Sequence, residues 1–349
     1  MPRLRRSDCS APGITRRRRG RSFDYLDPAG ERIDDPEVLQ RIDALSIPPA
    51  WRQVWICMDA QGHLQATGLD AAGRKQYLYH EHWCAHRDRL KFDSMTAFGR
   101  ALRPVRRRVA RDLAGAELDR SRVLACATRL LDLGFFRIGS EDYVEQNNSY
   151  GLATMLKRHV ALAGETVVFD YPAKSGQRRV QAIADGDVRD IVGALKARRG
   201  GGSQLLAYRV DGRWEDVRSE DINDYLKEAA KSDFSAKDFR TWNATVLAAV
   251  ALAGSDPAPT RTARERAIKS AVKTVAAYLG NTPAVCRTSY VDPRVVDRYR
   301  AGVTIAADLS RACMSGGDAE ADGCAIHGAV ETAVLELLAD APGPAAEAA

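Results

Sequence analysis

Gly280-Asn281-Thr282-Pro283-Ala284-Val285-Cys286-Arg287-Thr288-Ser289-Tyr290 ends one helix and opens a short segment. Upstream, Ile268, Val272, Val275 and Leu279 recur at helical spacing from Arg261 to Leu279, and Gly280 is the expected stop. Pro283 suits the first turn of a short segment, where its missing N–H is not needed. Tyr290 stands at the end of that segment, close to Arg287. Further upstream, Thr241 to Ala253 is apolar on nearly every side, so it reads as a buried core helix. Arg120 to Leu133 carries Val123, Leu124, Ala127, Leu130 and Leu131 on one stripe and stops at Gly134. A second notable stretch follows at once: Phe136-Arg137-Ile138-Gly139-Ser140-Glu141-Asp142-Tyr143, then Asn148-Ser149-Tyr150-Gly151-Leu152.

The helical pattern is interrupted between these two stretches. Thr166 to Tyr171 and Arg178 to Ala182 read as strands flanking the turn Pro172 to Gln177. Gly200-Gly201-Gly202-Ser203 is a flexible joint, and Gln204 to Val217 suggests another hairpin around Asp211-Gly212. Before about Trp83 the chain is short-pieced and turn-punctuated, with strand-like Val54 to Cys57 and His63 to Thr67 and one helix near Pro36 to Leu45. Cys84 to Lys91 reads as a charged hinge. The fold class is therefore α+β, with a small antiparallel β-rich domain at 23–86. A larger, mainly α-helical domain with a β-hairpin insert follows at 87–313.

Charge is unevenly placed. Residues 1–22 hold eight arginines against one aspartate and read as a basic flexible arm. Residues 314–349 hold seven acids and neither lysine nor arginine, and read as an acidic tail with a terminal helix at Ala325 to Ala339. The formal net charge is +6. A basic arm on a basic body suits a polyanionic partner, although Arg16-Arg17-Arg18-Arg19 would also be at home in a solvated arm. The 45% hydrophobic content is that of a globular protein, with no apolar run of membrane-spanning length and no apolar leader. Seven cysteines show no C-x-x-C pair and no histidine at metal spacing, which fits a reducing cytoplasm.

The two quoted stretches resemble the first-arginine and nucleophile-tyrosine segments of the small type IB DNA topoisomerases, the poxvirus and bacterial group. Between them, Tyr171-Pro172-Ala173-Lys174-Ser175-Gly176 resembles that family's lysine hairpin. Lys237-Asp238-Phe239-Arg240-Thr241-Trp242 resembles its second-arginine segment. The resemblance runs from about Arg21 to Arg311, with order and spacing kept. It implies that Tyr290 attacks a DNA phosphate and that Arg137 and Arg240 clamp its nonbridging oxygens. Lys174 would protonate the leaving 5′ oxygen, and Lys237 would share that proton relay.

At Asn281 this chain resembles the bacterial members, whereas poxvirus members carry histidine. An amide can donate to a phosphoryl oxygen but cannot carry a proton. Gln76-Tyr77-Leu78-Tyr79 resembles the DNA-reading segment of the N-terminal domain; Tyr143 is retained, and Ser140 replaces a poxvirus lysine. The implied protein relaxes supercoils of either sign through a 3′-phosphotyrosyl intermediate, without ATP and without an obligatory divalent metal. It would be a cytoplasmic, nucleoid-associated monomer closing on double-stranded DNA, with no membrane contact.

Each residue also has a plainer reading. Tyr290 could be a packed tyrosine, with Tyr299 as the nearest other nucleophile. Arg137 could be a cation at a helix C-terminus, Arg240 a salt-bridge partner of Asp238, and Lys174 a solvated turn residue. Asn281 could serve as a helix terminator, and Tyr77 and Tyr79 as one face of a strand. At the level of function the alternatives are a site-specific tyrosine recombinase and a DNA-binding protein without enzymatic activity. Recombinases usually carry His-x-x-Arg where this chain has Lys237-Asp238-Phe239-Arg240. A binding protein would not need the ordered set Arg137, Lys174, Arg240, Tyr290.

Overall fold

The computed structural model describes residues 3–140, 148–255, 259–306 and 327–339. The chain divides into two compact units, Met1–Lys91 and Phe92–Ala349. The first is an antiparallel sheet of five strands in the order β2-β1-β3-β4-β5. Its strands are β1 (Ile14–Arg19), β2 (Ser22–Leu26), β3 (Arg52–Ile56), β4 (Leu64–Leu69) and β5 (Lys75–Tyr79). Helix α1 (Pro36–Ala44), capped by Asp35, lays Ile42 against Ile14, Val54, Ile56 and Ala66.

The basic arm is thus not flexible where it is described, because Arg16 to Arg19 lie inside a paired strand. Ile14 is buried, while Arg16 donates to the carbonyls of Ile47, Pro48 and Trp51 (3.2, 3.0 and 2.8 Å) and stacks on Phe23. A guanidinium that satisfies three loop carbonyls is a structural group, whatever its charge suggests. Arg17, Arg18 and Arg19 remain exposed.

Cys84 to Lys91 are helical, within α2 (Glu81–Leu113), and the division between the two units falls at the end of that stretch. The α2 residues Phe92, Met95, Phe98, Leu102, Val105 and Val109 recur at helical spacing and are buried in the core of the second unit. That unit also contains α3 (Arg120–Leu133), α4 (Gly186–Ala197), α5 (Ser219–Ala230) and α6 (Ala236–Ala253). Four further helices are α7 (Arg261–Leu279), α8 (Pro283–Ser289), α9 (Pro293–Arg300) and α10 (Ala329–Ala339). As its sequence demands, α6 is buried on nearly every side, and Trp242 has no exposed surface.

Two small sheets interrupt the helices. Strands β6 (Val160–Ala163), β7 (Thr166–Pro172) and β8 (Arg178–Ala184) form an antiparallel meander, one strand more than the sequence suggested. Strands β9 (Ala207–Val210) and β10 (Arg213–Asp216) are the expected second hairpin.

The expected terminal helix is present as α10, and it packs into the core. Glu331 is buried, binds Arg106 at 2.5 and 2.9 Å, and accepts from the Trp242 indole at 2.8 Å. Arg106 also grips Asp132, so one acid of that segment is neutralised inside the protein. No described helix is long and apolar enough to cross a membrane.

Candidate active site

Four segments meet around a pocket of about 340 Å³ in the second unit. The first follows α3. Gly134 ends that helix, Phe136 is buried against Phe169 and Tyr171 of β7, and Arg137 comes next in the chain. The peptide of Arg137 accepts from Leu152 N at 2.8 Å, and that of Ile138 from Ala153 N at 2.8 Å. Gly139 permits this pairing: its φ is +80°, and a Cβ there would lie 2.8 Å from the Gly151 Cα. The two halves of the quoted Phe136 to Leu152 stretch are therefore zipped together, with Arg137 held beside them. Tyr143 lies outside the described residues.

The Arg137 guanidinium donates to Gly280 O at 3.3 Å and to Asn281 Oδ1, not to the carbonyls that end α3. Arg240 arrives from the buried face of α6 and donates to Leu279 O at 3.0 Å and to Phe135 O. It is not the salt-bridge partner of Asp238, whose carboxylate accepts from Ser235 N at 2.8 Å at the helix start. Burial and the neighbouring Arg137 lower Arg240 to about 10, opposed by the nearby Tyr290. It therefore stays charged at neutral pH.

Tyr290 caps α8, with its N–H on Cys286 O at 3.0 Å. Its carbonyl accepts from Thr245 Oγ1 of α6 at 3.2 Å, and the Arg240 guanidinium lies 5.4 Å from its ring centre. Burial alone would push the phenol up. The charges of Arg240 and Arg137, with the polar side chain of Asn281 close by, outweigh it and hold Tyr290 below its ordinary value. Two buried donors point to one need: among the described residues, Asn281 Nδ2 and Arg240 Nε have no partner at hydrogen-bond distance. Such donors beside a phenol with a depressed pKa suit an anionic acceptor. Cys286, one turn before Tyr290, is buried with its thiol pushed up to about 11, and Tyr299 is buried in the core.

The fourth segment is the β7–β8 hairpin. Lys174 begins the tight turn at its tip, is exposed, and lines the same pocket as Arg137, Arg240 and Asn281. Neither Tyr290 nor Lys237 lines the pocket itself; Tyr290 lies beside Arg240, and Lys237 is exposed in the first turn of α6, one turn before Arg240. Sequence reading missed Arg179 and Tyr171, which also line the pocket. A basic residue at an inward-facing position of β8, opposite Tyr171, was the signal that could have found Arg179.

In the first unit, Lys75, Tyr77 and Tyr79 share the exposed face of β5, an edge strand. The two tyrosine rings stack at 6.2 Å with an interplanar angle of 14°. Gln76 points to the other face, where its amide donates to Asp70 at 3.0 Å. The segment is therefore a strand with an aromatic outer face, and Gln76 is engaged within the protein.

Residues 75–309 match the family described as "Eukaryotic DNA topoisomerase I, catalytic core", and residues 22–70 match "Bacterial DNA topoisomerase IB, N-terminal domain". The chain belongs to the type IB DNA topoisomerases. A DNA topoisomerase 1B of Acanthamoeba polyphaga mimivirus is 30% identical over 294 residues, covering 82% of this chain and 88% of the relative. The DNA topoisomerase I of Monkeypox virus and DNA topoisomerase 1B of Vaccinia virus are each 22% identical over 153 residues. Those alignments cover 43% of this chain and 48% of each viral protein. As a type IB topoisomerase the protein is an isomerase whose substrate is DNA.

Proposed function

We propose that this topoisomerase relaxes positive and negative supercoils through a DNA-(3′-phosphotyrosyl) intermediate on Tyr290, without ATP and without an obligatory divalent metal. The observation that carries the reading is the Tyr290 ring lying 5.4 Å from the Arg240 guanidinium, near Asn281, which itself accepts from Arg137.

The chemistry follows from these groups. The phenol oxygen attacks phosphorus and forms a P–O bond to tyrosine, while the bond to the 5′ oxygen breaks. At neutral pH only about one ordinary phenol in 10³ is ionised, an obstacle of roughly 4 kcal/mol. The guanidinium charges that lower the Tyr290 pKa reduce that obstacle. Arg137 and Arg240 neutralise the nonbridging oxygens, and the Asn281 amide adds a neutral donor. Lys174 protonates the departing 5′ oxygen. The free 5′ end swivels, and the reverse reaction reseals the strand because the phosphotyrosyl ester keeps the bond energy.

We further propose that the enzyme acts as a monomer closing on duplex DNA, in the cytoplasm at the nucleoid. Tyr77 and Tyr79 on the outer face of β5, together with Tyr143, would be among its DNA contacts. Plasmid relaxation in EDTA, with wild type and Tyr290→Phe side by side, tests the central claim. Wild type should relax both signs of supercoil, while Tyr290→Phe binds duplex but forms no covalent adduct. Adduct trapped in the variant would move the nucleophile to another tyrosine; dependence on paired sites would favour a recombinase.

A further inference from the structure

The hairpin that carries Lys174 is tied across the pocket by one side chain. Consecutive residues of a strand leave on opposite faces, and Arg178 and Arg179 on β8 do so. Arg178 reaches Asp170 of β7 at 2.8 and 2.5 Å and braces the hairpin against itself. Arg179 donates from Nη1 to Ala277 O at 3.2 Å, from Nη2 to Tyr278 O, and from Nε to Gln181 Oε1 at 3.3 Å.

Ala277 and Tyr278 belong to the last turn of α7, where the Ala277 carbonyl also accepts from Gly280 N at 3.2 Å. Gly280 lets the guanidinium in. Its φ is +63°, and a Cβ there would lie 2.9 Å from Arg179 Nη1. The next residue is Asn281, which accepts from Arg137. All three nitrogens of Arg179 are therefore engaged by protein oxygens, five residues along the chain from Lys174.

We propose that Arg179 is a positioning residue: it latches the lysine hairpin to the Asn281 end of α7 and so sets Lys174 against the two arginine clamps. The proposal rests on the reading of Lys174 as general acid. Lys174 is exposed at a turn, so its placement depends on what holds the hairpin. Three of the five N–H groups of Arg179 donate to the protein, and both terminal nitrogens are tied to the end of α7.

Single-turnover cleavage of ordinary DNA and of DNA with sulfur at the bridging 5′ position tests this in the full-length enzyme. A sulfur leaving group needs little protonation, so Lys174→Ala should be slow on ordinary DNA and nearly wild type on the sulfur substrate. Arg179→Ala should show the same pattern, slower by about 10² on ordinary DNA, the scale of a misplacement of about 1 Å, and largely restored by sulfur. Arg179→Lys, which can still reach one carbonyl, should recover part of the rate. Amide exchange across residues 172–178 should rise in Arg179→Ala. If Lys174→Ala is restored by sulfur but Arg179→Ala stays slow on both substrates, Arg179 serves the nonbridging oxygens and the latch is wrong. If neither variant is restored, the general-acid reading of Lys174 fails, and hairpin exchange alone decides the latch. Unchanged exchange in Arg179→Ala overturns the proposal in every case.

Discussion

Tyr290 shows how a single side chain acquires a use from its neighbours. The sequence contains eleven tyrosines, and nothing in their composition separates one from another. In the fold, burial raises the Tyr290 phenol, while Arg240 and Arg137 lower it further than burial raises it. The sign of the consequence is definite. Cleavage by free enzyme should rise with pH as the phenol ionises and level off below the ordinary phenol value of about 10. Arg240→Ala removes the nearer positive charge, so the rise should move to higher pH as well as becoming smaller. A profile that keeps its midpoint in Arg240→Ala would show that this guanidinium does not act on the phenol. The identities of Arg137, Lys174, Arg240, Asn281 and Tyr290 were legible because each occupies a motif. Arg179 was not, since an arginine on a strand carries no mark until the carbonyls it meets are known.

At the scale of elements, the end of α7 does most of the assembly. Its last carbonyls and Gly280 receive Arg137, Arg179 and Arg240, three guanidinium groups from three different segments. The helix stop at Gly280 could be read from sequence, but not this second use of it. Gly280→Ala should lower stability, because an L-residue in the left-handed region costs about 1–2 kcal/mol. It should also slow cleavage, because the new methyl displaces Arg179. Gly280→Asn separates these effects, since asparagine tolerates that backbone but still carries a Cβ. Thermal unfolding should then recover in part while cleavage stays slow; a full recovery of cleavage would mean that the approach of Arg179 to Gly280 is immaterial. Lys237 illustrates the opposite case, in which a motif neighbour of Arg240 is turned by helix geometry onto the exposed surface.

For the whole molecule, charge was a good guide to the partner and a poor guide to order. The arginines of residues 16–19 belong to a strand placed between β2 and β3, so deleting residues 1–22 should unfold the first unit. Replacing Arg17, Arg18, Arg19 and Arg21 by glutamine is the cleaner experiment. Nonspecific DNA affinity should fall, and the slope of log affinity against log salt should flatten by about 0.9 for each phosphate no longer neutralised. Cleavage at saturating DNA should be unaffected. An unchanged slope would mean that these arginines do not touch DNA.

The sequence by itself determined the α+β class, the helix stops at Gly134 and Gly280, the lysine turn and the residue types of the site. These depend on local periodicity, turn chemistry and motif spacing, all of which are written within a few residues. The tertiary structure alone decided that Arg16 satisfies loop carbonyls, that Glu331 is buried beside Arg106 and Trp242, and that Arg179 joins the pocket while Lys237 does not. Those outcomes depend on partners 31 to 225 residues away. A charged side chain becomes a strut, a clamp or a solvated group according to which oxygens the fold brings to it.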